Sequence, residues 1–187
     1  MVSKVELLRL ILAVAAHAGV RVGVGGGLAV CAWGYRRETA DVDAFFHEGD
    51  RAAVLRSLHS LLPESFVLEK LDRSHYVVVP EGNSPDERID LLFASGDPEK
   101  SAIEMSVTRK YRGVDTPVFP ADMLVACKFL ADRGEIKDIL DVHELLERGA
   151  CTVSEVQQRL RQMGLVEDAD VRFPELISYL DHIPKRK

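Results

Sequence analysis

The sequence predicts an α+β protein, with an α/β lobe over residues 1–118 and a small helical lobe over residues 119–187. Short β-type runs alternate with helical spacing of apolar residues as far as Pro117 and Pro120, and helical signals dominate beyond these prolines. The 187 residues include 47% hydrophobic and 29% charged side chains, which is ordinary globular composition. The chain is therefore long enough for one core, or for a core with an appended lobe.

The first lobe is expected to begin with an amphipathic helix over residues 3–18. Apolar residues recur there at helical spacing, and they are Val5, Leu8, Ile11, Leu12 and Ala15. Gly19 follows as a stop signal. Because Glu6 and Arg9 interrupt the apolar stretch, a helix is favoured over a secretory signal.

Short strands and helices follow in alternation. Strands are predicted at Val20–Val24, Asp41–Phe46, Phe66–Leu71, His75–Val79 and Arg88–Phe93. Helices are predicted at Leu28–Trp33, Arg51–Leu62 and Pro98–Met105. The second helix has the cap Gly49-Asp50 and an apolar side of Ala53, Leu55, Leu58, Leu61 and Leu62. Asp72-Arg73-Ser74 is expected to form a hairpin turn, and Trp33 to anchor packing behind the glycines before it.

The second lobe is expected to contain three helices separated by glycines. The first two are predicted at Ala121–Asp132 and Ile136–Arg148. A capping box, Thr152-Val153-Ser154-Glu155, opens the third helix, which is predicted to end at Gly164.

Charge and cysteine content limit the possible partners and the compartment. The formal net charge is −6, from 24 basic and 30 acidic residues, so the broad positive field of a non-specific nucleic-acid binder is lacking. Cys31, Cys127 and Cys151 have no zinc-ligand spacing, which favours a reducing cytoplasm. No apolar run approaches the ~20 residues that a membrane span needs.

Three acidic residues are candidates for a metal site. Asp41 and Asp43 flank Val42 in a predicted strand, so both carboxylates project from one face at a spacing that can hold one or two divalent cations. Asp90 interrupts the apolar run Ile89–Phe93, and an acid in that setting needs a partner or exposure. If the two strands are neighbours, the three carboxylates converge; the alternative is that each is a solvated strand position.

The run Gly23-Val24-Gly25-Gly26-Gly27 lies where a strand passes into a helix. Glycines there expose backbone N–H groups at the positive end of a helix dipole, which favours phosphate binding, although a tight turn alone would also explain them. A dinucleotide-binding GxGxxG fails at its third glycine, and no GxxxxGK[ST] is present.

Taken together, these residues form a known signature. The sequence reads GGxA…GxxRxTxDxD, from Gly26-Gly27-Leu28-Ala29 through Gly34, Arg37 and Thr39 to Asp41 and Asp43. It resembles the DNA polymerase beta-like nucleotidyltransferase superfamily, in the minimal branch that includes abortive-infection-type toxins and small-molecule nucleotidyltransferases. Lys128 followed by Ala131 and Arg133, and Lys137-Asp138-x-x-Asp141, look like the lysine and KDxxD elements of the toxin-like members.

The resemblance implies a fold and a set of roles. The fold would be a mixed, twisted sheet flanked by helices and followed by the helical lobe. Asp41, Asp43 and Asp90 would hold two Mg²⁺ ions, and Asp90 or Asp138 would act on the acceptor. The nucleoside triphosphate would be bound by Gly26 and Gly27, by Arg37 and Thr39, and by Lys128.

The acceptor and the biological role stay open. A small molecule or a protein side chain suits an acidic chain, whereas Arg109-Lys110-Tyr111-Arg112 is a basic patch that could hold a tRNA end. A toxin neutralised by an antitoxin is the second possibility, and a nucleotide-binding module without catalysis is the third.

Overall fold

The protein divides into two units, Met1–Pro120 and Ala121–Lys187. The structure is a computed structural model, and it describes residues 2–131, 136–165 and 178. Each unit is built from the elements that follow.

The first unit is a mixed sheet with helices packed against it. Its strands are β1 Gly23–Val24, β2 Val42–His47, β3 Phe66–Lys70, β4 His75–Pro80, β5 Ile89–Ala94, β6 Val107–Tyr111 and β7 Val114–Val118. Their order across the sheet is β3-β4-β5-β2-β1-β7-β6. β2 pairs with β5 in parallel and β1 with β7 in parallel, while the other pairs are antiparallel. The predicted α+β class and mixed sheet are confirmed.

Four α-helices belong to this unit: α1 Lys4–Ala18, α2 Gly26–Ala32, α3 Arg51–Leu61 and α4 Glu99–Glu104. A short 3₁₀ turn, Glu48–Asp50, leads into α3. α1 begins with a capping box in which the Ser3 hydroxyl accepts from the Glu6 N–H and the Glu6 carboxylate accepts from the Ser3 N–H.

Strand β2 shows why the acidic residues share one face. Val42, Ala44 and Phe46 alternate along it and are fully buried. Asp43, Phe45 and His47 occupy the intervening, half-buried positions. Since side chains alternate across a strand, the fully buried set faces the core, and Asp43 lies on the opposite side of the sheet with Phe45 and His47.

The hairpin of β6 and β7 was not predicted. Its two-residue turn is Arg112-Gly113, with φ of 45° and 84°, the positive values that tight hairpin turns require. β6 is an edge strand whose first four residues are exposed, so it lacks the apolar alternation that reveals a half-buried strand. Arg109 of the predicted basic patch stacks on the Trp33 ring, 3.8 Å from its centroid, and the Trp33 indole N–H donates to the Phe119 carbonyl (2.9 Å).

Two local predictions were wrong. The buried residues of α3 are Val54, Ser57 and Leu58, whereas Leu61, assigned to the apolar side, is 37% exposed. Asp50 is the N-terminal cap of α3 but makes no side-chain capping bond, because the 3₁₀ turn already gives it helical backbone angles.

The second unit contains α5 Ala121–Ala131, α6 Ile136–Glu147 and α7 Val153–Gln162. The capping box that opens α7 is confirmed: Thr152 accepts from the Glu155 N–H, and Glu155 accepts from the Thr152 N–H. Asp132, Arg133 and Gly134 lie outside the described residues. Burial raises the pKa of the Cys151 thiol to about 12. Every helix in the described part of the chain is too short or too polar to cross a bilayer.

Candidate active site

The pairing of β2 with β5 brings the three predicted acids together. Asp43 lies directly opposite Asp90 in the parallel register, and Asp41 immediately precedes β2. Ligand oxygens of Asp41, Asp43 and Asp90 all lie within 4.8 Å of one another. The expectation that the two acidic strands are neighbours is thus confirmed, and Asp90 is buried rather than an exposed strand position.

The glycine turn, Gly25-Gly26-Gly27, lies directly against Asp43. Gly26 has φ of 53°, and a Cβ atom built there would come well inside 3.0 Å of the Asp43 carboxylate. Gly25 donates its backbone N–H to the Asp43 carbonyl at 3.0 Å. Only a residue without a side chain allows the backbone to approach Asp43 so closely.

Arg37 and Thr39 connect the glycine turn to Asp41. A Cβ on Gly27 would lie 2.6 Å from an Arg37 guanidinium nitrogen and 2.7 Å from the Thr39 hydroxyl. That hydroxyl is buried and donates to Asp41 Oδ1 at 3.1 Å. Thr39 therefore contacts both parts of the site, whereas Arg37 lies beside the glycine turn.

Asp90 is buried and held by two side chains that the sequence analysis missed. Its side chain is 6% exposed. His75 Nε2 lies 2.7 Å from Asp90 Oδ1, and Arg88 Nε donates to Oδ1 and Oδ2 at 3.2 and 3.0 Å. The hydrogen bond from Arg88 to Asp90 raises the pKa of the guanidinium.

A signal for Arg88 was present, whereas one for His75 was not. Arg88 lies two residues before Asp90, a spacing that puts both on one face of a strand. His75 reaches Asp90 only because β4 pairs with β5 in a register that sets Val77 opposite Asp90. Such diagonal neighbours across a pair of strands depend on register, which the spacing of residues within one strand does not reveal.

The donor set fits a divalent cation of the Mg²⁺ type. Carboxylate oxygens are the hard ligands that Mg²⁺ prefers, and this site offers three carboxylates. Like charges at such short separation repel one another, which a bound cation relieves.

Lys128 and Asp138 belong to the second unit, where they pair with each other. Lys128 Nζ lies 2.5 Å from Asp138 Oδ1 and 2.8 Å from Asp141 Oδ2. The three side chains are 11%, 15% and 0% exposed, respectively. The three side chains are therefore largely buried, and the roles of Lys128 and Asp138 toward substrate stay predictions.

This buried cluster predicts a large stability effect. Replacing Lys128 by Met removes the cation shared by Asp138 and Asp141, and breaking a buried pair costs about 3–5 kcal/mol. We expect urea denaturation to show a drop of that size in the free energy of unfolding. The control, Arg148→Met, removes a pair with Glu144 in which the arginine is 48% exposed, and should change stability by less than about 1 kcal/mol. Equal losses of stability in both variants would contradict the interpretation of Lys128, Asp138 and Asp141 as a buried ion-pair cluster.

The mixed sheet carries three converging acids beside a glycine turn, and the family match identifies the chain as a nucleotidyltransferase. Residues 24–178 match the model of the family described as "Nucleotidyl transferase AbiEii toxin, Type IV TA system". The chain belongs to the AbiEii nucleotidyltransferase family, and the resemblance to the polymerase beta-like superfamily is confirmed. A search of curated proteins gives no match.

Several solved structures share this fold at low sequence identity. The antibiotic-resistance factor ANT(2″)-Ia is 17% identical, with a TM-score of 0.58 over 96% of this chain and 95% of that chain. A protein of H. pylori described as a nucleotidyltransferase is 18% identical, with a TM-score of 0.55 over 98% and 89%. The lincosamide antibiotic adenylyltransferase LnuA is 16% identical, with a TM-score of 0.50 over 77% and 96%.

Proposed function

We propose that this nucleotidyltransferase moves a nucleoside monophosphate from a nucleoside triphosphate to an acceptor hydroxyl, with Mg²⁺ as cofactor and pyrophosphate as the second product. The observation that carries the proposal is the cluster of Asp41, Asp43 and Asp90, whose ligand oxygens lie within 4.8 Å of one another. Two-metal nucleotide chemistry requires such a cluster, so two ions are part of the proposal.

The glycine turn and its neighbours would hold the triphosphate. Backbone N–H groups of Gly26 and Gly27 would donate to phosphate oxygens, since the turn lies directly against Asp43. Arg37 lies beside Gly27 and would add positive charge there. Thr39 would keep Asp41 oriented through its 3.1 Å hydrogen bond.

Asp90 would act on the acceptor side of the site. The acceptor oxygen would attack the α-phosphorus, the bond from that phosphorus to the pyrophosphate oxygen would break, and the acceptor would lose its proton. Asp90 would receive that proton as general base; if Asp90 serves instead as a metal ligand, Asp138 would receive the proton. When bound, the cations would stabilise negative charge on the attacking and leaving oxygens. Lys128 and Asp138 are proposed to contact the triphosphate and the acceptor, respectively.

The acceptor is proposed to be a small molecule or a protein side chain. The net charge of −6 supports this choice over a long nucleic acid, and a cytoplasmic location is proposed with it. A solved ANT(2″)-Ia structure, 16% identical with a TM-score of 0.54, is a complex with adenylyl-2″-tobramycin. The end of a tRNA is the remaining candidate.

Calorimetric titration tests the nucleotide site before any acceptor is known. Each nucleoside triphosphate is titrated with Mg²⁺ into the wild type and into a variant with Asp41→Ala and Asp43→Ala. We expect metal-dependent binding to the wild type and none to the variant. If the wild type binds no triphosphate, the proposal fails at its first step.

A toxin of a toxin–antitoxin pair is the second candidate, and the description of the matching family favours it. The same transfer chemistry would then act on an essential acceptor, such as a tRNA or a protein. We expect expression of the chain to arrest growth, the Asp43→Asn variant to be harmless, and a neighbouring open reading frame to relieve the arrest. Normal growth at high expression would count against the toxin.

A further inference from the structure

We propose that Arg88 is a positioning residue which fixes the Asp90 carboxylate and, through its charge, sets the affinity of the acidic cluster for its cation. The inference rests on the proposed function, because it concerns how that cluster binds metal. Arg88 and His75 contact Asp90, and neither residue is part of the nucleotidyltransferase signature.

Arg88 is placed rigidly beside the acids. Its backbone carbonyl accepts from the Val42 N–H at 2.9 Å, which ties it to the first residue of β2. Its side chain spans both oxygens of Asp90, at 3.2 and 3.0 Å. A donor shared by both oxygens fixes the plane of the carboxylate, and orientation of this kind tunes metal ligands in general.

His75 holds the same carboxylate from the neighbouring strand. The backbone N–H of His75 donates to Asp72 Oδ1 at 2.9 Å, so the hairpin turn fixes the position of the His75 backbone. The imidazole Nε2 then lies 2.7 Å from Asp90 Oδ1. Asp90 is thus held from two strands, and loss of one contact leaves the other in place.

Arg88 acts through its charge as well as by holding the Asp90 carboxylate in place. Asp41, Asp43 and Asp90 form an anionic cluster, and the arginine is a permanent cation whose field also reaches Asp41. Arg88 partly neutralises the cluster, so the cation is bound less tightly than three isolated carboxylates would bind it. Weaker binding of the free cation allows it to arrive and leave with the nucleotide and pyrophosphate.

The test compares Mn²⁺ affinity, measured from the paramagnetic resonance signal of free Mn²⁺, for the wild type and variants. Arg88→Gln keeps a hydrogen-bond donor but removes the charge, and we expect about tenfold tighter Mn²⁺ binding by Coulomb's law. Arg88→Lys keeps the charge and should restore the wild-type affinity. Arg56→Gln, at an exposed arginine of α3, is the matched control and should change nothing.

His75, the other residue that holds Asp90, gives a contrasting expectation. His75→Phe removes a contact without removing a permanent charge, so Mn²⁺ binding should weaken, by about tenfold. Simple damage to the fold would weaken binding in both the Arg88→Gln and His75→Phe variants and lower their melting temperatures together.

The outcomes separate the inference from the function on which it rests. If the wild type shows no Mn²⁺ binding that Asp43→Asn abolishes, the proposed metal site and this inference both fail. If the wild type binds Mn²⁺ through Asp43 but Arg88→Gln leaves the affinity unchanged or weakens it, the inference alone is overturned. Tighter binding in Arg88→Gln, reversed in Arg88→Lys, supports it.

Discussion

An Asp43→Asn variant is expected to lose about 10³-fold in nucleotidyl transfer, because a metal ligand is replaced by a neutral amide in the cluster that stabilises transition-state charge. A bound metal supplies several kcal/mol of such stabilisation, and each 1.36 kcal/mol is a factor of ten in rate. Asp43 is the most sensitive position, since it contacts the glycine turn and faces Asp90 across the β2–β5 pair. Pyrophosphate release, followed at saturating Mg²⁺ and triphosphate, measures the loss.

The Asp43→Asn variant should keep its thermal stability although it loses activity. The substitution removes one of three like charges held within 4.8 Å, so the melting temperature without metal should be no lower than that of the wild type. Asp115→Asn is the matched control: this aspartate is 67% exposed and pairs with Lys110 on the surface. It should retain activity. A variant at Asp43 that keeps more than a tenth of the wild-type rate would remove Asp43 from the metal site.

The acidic site could be predicted because its residues stand out from their neighbours within short stretches of sequence. Two aspartates at i and i+2 share a strand face by geometry alone, and Asp90 stands out against apolar neighbours. The glycines at the start of α2 indicated a turn that could bind phosphate, and the structure places Gly26 of that turn against Asp43. Periodicity within single elements therefore carried most of this prediction.

Contacts between elements could not be predicted in the same way. That the strands of Asp43 and Asp90 are neighbours was an inference from resemblance, and their parallel pairing was not predicted. His75 reaches Asp90 through the β4–β5 register, and Lys128 meets Asp141 through the packing of α5 with α6. Register and packing depend on the whole fold, so residues that matter only through them look ordinary in sequence.

The two strands at the exposed edge of the sheet were not predicted, for a different reason. β6 and β7 were missed because most of β6 faces solvent and Pro117 lies within β7. An edge strand needs no apolar alternation, and proline is tolerated where a ladder hydrogen bond is not required. The turn residues Arg112-Gly113 were the available signal, since a glycine between two β-branched runs indicates a hairpin.

The glycine turn gives the second large effect, through a Gly26→Ala substitution. The added Cβ would come well inside 3.0 Å of the Asp43 carboxylate, so the carboxylate or the turn must move. A displacement of about 1 Å in a catalytic group costs about 10²-fold in rate. We therefore expect metal-dependent triphosphate binding to weaken strongly and transfer to fall by about 10²-fold or more, as measured by calorimetry and pyrophosphate release.

Gly82→Ala separates this contact from backbone strain. Gly82 also has positive φ, 79° against 53° for Gly26, but nothing lies within 4 Å of a Cβ built there. Both alanine variants should lose about 1–2 kcal/mol of stability from the left-handed backbone. Only Gly26→Ala should lose nucleotide binding, because only its methyl group meets Asp43. If both variants lose stability but both still bind the triphosphate, the turn does not position Asp43. Its glycines would then be required only for the left-handed backbone conformation.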